Sequence, residues 1–159
     1  MDQHTRRIIG FGVHEGVVDG PALCRMFNEA ITGAGTPKYL SNDHDPLFNF
    51  HRWKADLRIL DVAEVKTVPY VPISHPFVER LIGTIRRELI DQTPFWSARE
   101  LERKLFSFRN YYNDQRSHHA FGGVTPSTQS GEMDHAVADL SNYSWQPNCR
   151  GLFQLPIAA

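Results

Sequence analysis

Ser74-His75-Pro76-Phe77-Val78-Glu79-Arg80-Leu81-Ile82-Gly83-Thr84-Ile85-Arg86-Arg87-Glu88-Leu89 has the form of a helix with an acid on one flank. Pro76 suits a first helical turn, where its missing N–H is no loss, and Ser74 or His75 stands where a cap belongs. Val78, Ile82, Ile85 and Leu89 recur at spacings of four, three and four, a stripe fit to bury against a sheet. Glu79 lies beside that stripe rather than opposite it, with Gly83 one turn on and Arg86 two turns on. A carboxylate, a bare patch of backbone and a guanidinium thus line up at the edge of the core. The same residues also fit a surface Glu79 paired with Arg86 or Arg80, and the helix alone leaves both readings open.

A second acid lies upstream. Lys38-Tyr39-Leu40-Ser41-Asn42-Asp43-His44-Asp45-Pro46-Leu47-Phe48 predicts a short strand whose carboxyl end carries Asp43 and which breaks at Pro46. Strand ends of this kind are where sites collect in α/β sheets. Residues 44 to 78, 35 in all, separate Asp43 from Glu79. That spacing, with the words around both acids, resembles the DDE transposase and retroviral-integrase superfamily. The resemblance implies a ribonuclease H-like domain with a first Asp on a strand, a second Asp after another strand and a Glu on a helix. It maps the second Asp to Asp43 and the Glu to Glu79.

Two further stretches carry the same resemblance. Asp2-Gln3-His4-Thr5-Arg6-Arg7-Ile8-Ile9-Gly10 is similar to the strand-turn-strand that follows the first catalytic Asp in integrase cores. Tyr112-Asn113-Asp114-Gln115-Arg116-Ser117-His118, and then Thr125-Pro126, resemble the closing signature of bacterial insertion-sequence transposases. The match covers residues 2 to about 127. It departs at Asp45, where many relatives have Gly, and in placing the strand of the first catalytic Asp before Met1. The expected fold is therefore α/β, a ribonuclease H-like integrase core lacking its first strand and most of its second. That truncated core is expected over residues 1–127, with a carboxyl-terminal tail over 128–159.

The composition is ordinary. The chain has 159 residues, enough for one domain with a real core, and its hydrophobic content of 41% and charged content of 22% are those of a globular protein. No apolar run approaches the roughly 20 residues needed to span a bilayer and no charged-then-apolar leader opens the chain, so a cytoplasmic protein with no membrane partner is expected. A formal charge of −1 excludes nucleic-acid binding by bulk charge and leaves only local patches. Cys24 and Cys149 have no metal-ligand neighbours at zinc spacing, and His118-His119 without nearby cysteines fits a solvated or phosphate-facing pair.

Along the chain, Arg6 to Val13 is rich in Ile, Val and Phe and predicts a strand covered on both faces, weakened by Gly10 and Gly12. Asp19 is placed to cap a helix that buries Leu23, Met26, Phe27 and Ile31 and stops at Gly33 and Gly35. Phe48, Phe50, Trp53, Leu57 and Leu60 predict another helix, and Val65 to Pro72 a strand ended by prolines. Ser97-Ala98-Arg99-Glu100 has the form of a capping box before an amphipathic helix carrying Leu101, Leu105, Phe108 and Tyr112. Beyond Pro126 the chain turns polar and ends in a tail expected to lie on the domain or on a partner.

Phosphodiester transfer is served by two divalent ions about 3.5 to 4 Å apart, held by hard carboxylate oxygens. The resemblance implies Mg²⁺ or Mn²⁺ at such a two-metal site, with Asp43 and Glu79 as catalytic metal ligands and the bridging Asp missing from this chain. It further implies that Gly83, Arg86, Arg87 and Arg116 meet DNA, Gly83 through close approach and the arginines through phosphates. A solvated helix face accounts equally for the arginines. Asp2 is not expected to replace the missing Asp; next to Thr5-Arg6-Arg7 it is placed to cap a turn. The expected function is DNA integration or transposition, by a fragment of a DDE strand-transferase inactive alone, homo-oligomeric, acting on transposon ends and target DNA. The rival is a non-catalytic DNA- or subunit-binding module that regulates a full-length transposase, with a single-metal hydrolase using Asp43, His44 and Glu79 a distant third.

Overall fold

The Asp19 carboxylate accepts from the Ala22 N–H at 2.8 Å and starts α1, Gly20–Ile31, with Pro21 in its first turn. Gly33 and Gly35, at φ of 81° and 82°, end it as the sequence predicts. These elements come from a computed structural model, which describes residues 1–66, 76–131 and 143–158. They fall into two compact units, Ile9–Glu102 and Met1–Ile8 with Arg103–Ala159.

In the unit of residues 9–102, β1 (Tyr39–Asn42) runs parallel to β2 (Ala63–Lys66), with Tyr39 opposite Ala63 and Asn42 opposite Lys66. Parallel neighbours need a crossover. A 3₁₀ turn at Pro46–Asn49 and α2, His51–Ile59, supply it. Trp53, Leu57 and Val62 form its buried centre, with Leu23, Phe27, Leu40 and Phe48 packed around them. The Trp53 ring meets Phe27 edge-on at 5.2 Å and Phe48 at 5.7 Å, geometry that aromatic quadrupoles favour.

The strand expected from Arg6 to Val13 does not form: no residue there joins a ladder. Part of the segment packs on α1 through bare backbone instead. A Cβ on Gly10 would fall 2.4 Å from the Ala30 carbonyl oxygen, and one on Gly12 would fall 2.5 Å from the Met26 Cβ. The two glycines that weaken a strand are therefore what bring this segment against the helix.

The opening stretch gives α3, Pro76–Ile85, which runs on through a π-helical turn at Arg86–Ile90. The Asp91 N–H there donates to the Arg86 carbonyl, five residues back, at 2.8 Å. The buried stripe differs from the expected one. Leu81, Thr84, Ile85 and Leu89 are buried, whereas Ile82 is 53% exposed. The buried face is rotated by less than one residue, so that Leu81 and Thr84 are buried in place of Ile82 while Ile85 and Leu89 stay buried as expected. Its expected caps, Ser74 and His75, and most of the strand expected to end at Pro72 lie outside the described residues; what is described of that strand is β2.

Helix α4, Ala98–Asp114, opens with a modified capping box: the Glu100 N–H donates to Ser97 Oγ at 3.2 Å, and Glu100 reaches back to the N–H of Trp96 at 3.1 Å. The unit boundary falls within this helix, after Glu102. In the second unit Leu105, Phe108, Tyr111 and Tyr112 are buried along it. A 3₁₀ turn at His119–Phe121 and the short α5, Pro126–Gln129, follow, the latter capped by Thr125. The tail forms an antiparallel hairpin, β3 (Tyr143–Asn148) with β4 (Phe153–Ala158), whose Phe153 stacks on Tyr111 at 4.5 Å. No described helix is long and apolar enough to cross a membrane.

Candidate functional site

Asp43 follows directly on the last residue of β1, at its carboxyl end, where the sequence placed it. It is exposed, and one of its oxygens accepts the Asp45 N–H at 3.0 Å. Asp45 in turn caps the 3₁₀ turn by accepting from the Leu47 N–H at 2.8 Å. Asp45 is thus the residue that turns the backbone away from the strand, and its N–H steadies the Asp43 carboxylate.

Glu79 is exposed in the first turn of α3 and lines a groove of about 550 Å³ with Pro76, Arg80, Gly83, Thr84 and Arg87. These residues share a face because positions four apart stack along a helix, here 76, 80, 84 and 79, 83, 87. Among the described residues the Glu79 carboxylate makes no hydrogen bond or ion pair, so the surface pairing with Arg86 or Arg80 is not formed. Arg87 folds back so that its Nη1 lies 3.2 Å from where a Cβ on Gly83 would stand. The groove therefore joins Glu79, Gly83 and Arg87 of the predicted site residues. Asp43 and Arg86 are not among its lining residues, and Arg80 and Thr84 enter it although neither was assigned to the site.

Arg116 belongs to the other unit, where its guanidinium lies 5.5 Å from the centre of the Tyr112 ring. The rest of the closing signature is occupied with structure. Asn113, 6% exposed, accepts the Ile8 N–H at 2.8 Å and donates to the Ile8 carbonyl at 2.9 Å. Asp114 accepts from Ser127 Oγ at 2.6 Å, and Gln115 accepts from Asn148 Nδ2 at 2.8 Å. Asp2 caps the turn at His4 and Thr5, accepting from both N–H groups and from the Thr5 hydroxyl. Burial pushes its pKa up, but those hydrogen bonds and the nearby His4 outweigh burial and hold the carboxyl below its usual value.

Residues 60–126 match the family described as integrase core domain. No curated protein matches the chain. Among solved structures, the catalytic core domain of BIV integrase is similar at 23% identity and a TM-score of 0.56, over 72% of each chain. A chain of the simian T-cell lymphotropic virus intasome, in complex with PP2A regulatory subunit B56 gamma, is similar at 17% identity and a TM-score of 0.60. That match covers 90% of this chain, which spans 55% of the intasome chain. The fold is that of a retroviral integrase catalytic core, α/β and ribonuclease H-like. The family match covers residues 60–126, less than half of the chain.

Proposed function

We propose that this chain is the integrase-core part of an insertion-sequence type transposase, contributing Asp43 and Glu79 as acidic ligands for DNA strand transfer. The observation that carries the reading is positional. One acid stands just past the carboxyl end of a parallel strand and the other lines a basic groove on a helix, within a fold similar to integrase cores. Arg86, Arg87 and Arg116 are proposed phosphate contacts, and the partner is transposon-end and target DNA bound by a homo-oligomer. At a net charge of −1 such binding rests on few contacts and a modest salt slope.

The described residues do not by themselves fit a two-metal centre. Among them, no group of three or more His, Cys, Asp or Glu side chains could hold a metal ion, and Asp43 already gives one oxygen to a backbone N–H. Two hard oxygen ligands suit one weakly held, largely hydrated Mg²⁺ or Mn²⁺. A complete centre takes a further carboxylate from outside the described residues. The same observation favours a second reading, a DNA- or subunit-binding module without catalysis.

Fluorescence anisotropy on a labelled duplex, with and without Mn²⁺, tests the proposal. The chain should bind DNA with salt-sensitive affinity, and Mn²⁺ should strengthen binding in the wild type but not in Asp43→Asn or Glu79→Gln. No binding at low salt would refute the DNA reading. Binding with the same Mn²⁺ response in all three proteins would refute the two acids while leaving the binding module. Mn²⁺-dependent nicking of supercoiled plasmid, lost in both variants, would exclude that module.

A further inference from the structure

The groove on α3 carries two cations around one anion. Arg80 adjoins Glu79, Arg87 lies two turns on, and both line the groove, whereas Arg86 does not. Among the described residues, the side chains of Arg80, Glu79 and Arg87 make no hydrogen bond or ion pair with one another or with any other group. The two guanidiniums therefore keep their donors, and the groove carries a net positive charge that one monoanion would neutralise. Arg87 is also not free to be anywhere. Its guanidinium lies against the backbone of Gly83, at a separation that a side chain on residue 83 would push outward by a few tenths of an ångström.

We infer that Arg80 and Arg87 form a clamp for a single phosphate group beside Glu79, with Gly83 the seat that holds Arg87 over the groove. Each guanidinium is a planar fork of donors matched to phosphate oxygens, which a lysine or a more distant arginine does not reproduce. Gly83 thus acts through Arg87 as a positioning residue, and Arg86, which does not line the groove, would meet a different phosphate of the duplex. The inference rests on reading the groove as DNA-facing and names the residues that hold the phosphodiester there.

Two probes, a labelled DNA duplex and inorganic pyrophosphate, titrated into the 159-residue chain test it. Arg80→Ala and Arg87→Ala should each weaken both probes about tenfold, the loss of one charge-assisted contact, and lower the duplex salt slope by about 1. Arg86→Ala, outside the groove, should change pyrophosphate affinity less than about twofold while still weakening the duplex. Gly83→Ala keeps every charge, so it should weaken both probes in the direction of Arg87→Ala while leaving the protein at least as heat-stable as the wild type. Pyrophosphate binding that falls equally in Arg86→Ala and Arg87→Ala, or duplex binding untouched by Gly83→Ala, would overturn the clamp and leave the DNA reading standing. Pyrophosphate binding that depends on Arg87 in a protein without duplex affinity would keep the clamp and overturn the DNA reading. Binding of neither probe would overturn both.

Discussion

Replacing Asn113 by Ala should cost the unit of residues 1–8 and 103–159 much of its stability. The Asn113 carboxamide is 6% exposed and makes both of its bonds to one residue, accepting the Ile8 N–H at 2.8 Å and donating to the Ile8 carbonyl at 2.9 Å. Ile8 is itself 2% exposed, so water cannot replace the lost partners without opening the contact. Each buried backbone group left without a partner costs about 1 to 3 kcal/mol, which makes the truncation worth about 2 to 6 kcal/mol against a typical total of about 5 to 15. Native-state hydrogen exchange reads it directly: the Ile8 amide should be protected in the wild type and exchange orders of magnitude faster in the variant. Urea unfolding should show a lower midpoint, with Arg86→Ala, an exposed site, within about 0.5 kcal/mol of wild type as control. An Ile8 amide that stays protected, with a stability loss below about 1 kcal/mol, would show that Asn113 does not hold the amino-terminal segment.

Four other outcomes are expected. Asp45→Ala should cost about 1 kcal/mol through loss of the cap on the 3₁₀ turn, and Asp45→Gly only a few tenths, measured by thermal unfolding. Gly83→Ala should raise stability by up to about 1 kcal/mol, since the group it displaces is the far end of a flexible side chain and Gly is a poor helix former. Cys149 and Arg150, at φ of 52° and 61°, occupy a tight hairpin turn that suits Asn and Gly, so Cys149→Asn should stabilise the hairpin by about 1 kcal/mol in the same assay. Burial pushes the Cys149 thiol up to about 11, above its unfolded value, so stability is unaffected below the unfolded pKa and falls as pH rises towards 11. Cys149→Ser should remove that alkaline loss, and alkylation of Cys149 by iodoacetamide at pH 8 should be slow in the folded protein.

What the sequence disclosed follows from how local each signal is. Asp19, Gly33 and Gly35 mark α1 because capping and left-handed turns are set within a few residues, and the strand ending at Asp43 was legible for the same reason. The strand expected at Arg6–Val13 was not, since a strand depends on partners that hydrophobic pattern cannot supply, and Gly10 and Gly12 served contact with a helix instead. On α3 the period was legible and Ile85 and Leu89 are buried as expected, but Leu81 is buried instead of Ile82, because the two are adjacent and similarly apolar. Gly83 and Arg87, both expected to meet DNA, line the groove with Glu79 through steps of four, whereas Arg80, expected only as a surface partner of Glu79, lines it too and Arg86 does not. The closing signature, matched as a family word, proved to hold structure together through Asn113, Asp114 and Gln115, bonds that no spacing rule foretells.

Calorimetric titration of Mn²⁺ into the wild type, Asp43→Asn and Glu79→Gln tests most directly whether the two acids serve one site. A single weak binding event is predicted for the wild type, abolished in each variant while the thermal unfolding midpoint stays unchanged, since both side chains are exposed and isosteric amides remove only charge. Undiminished Mn²⁺ binding in either variant, or a tight two-ion isotherm in the wild type, would contradict the assignment of Asp43 and Glu79 as a pair with no third acidic ligand among the described residues.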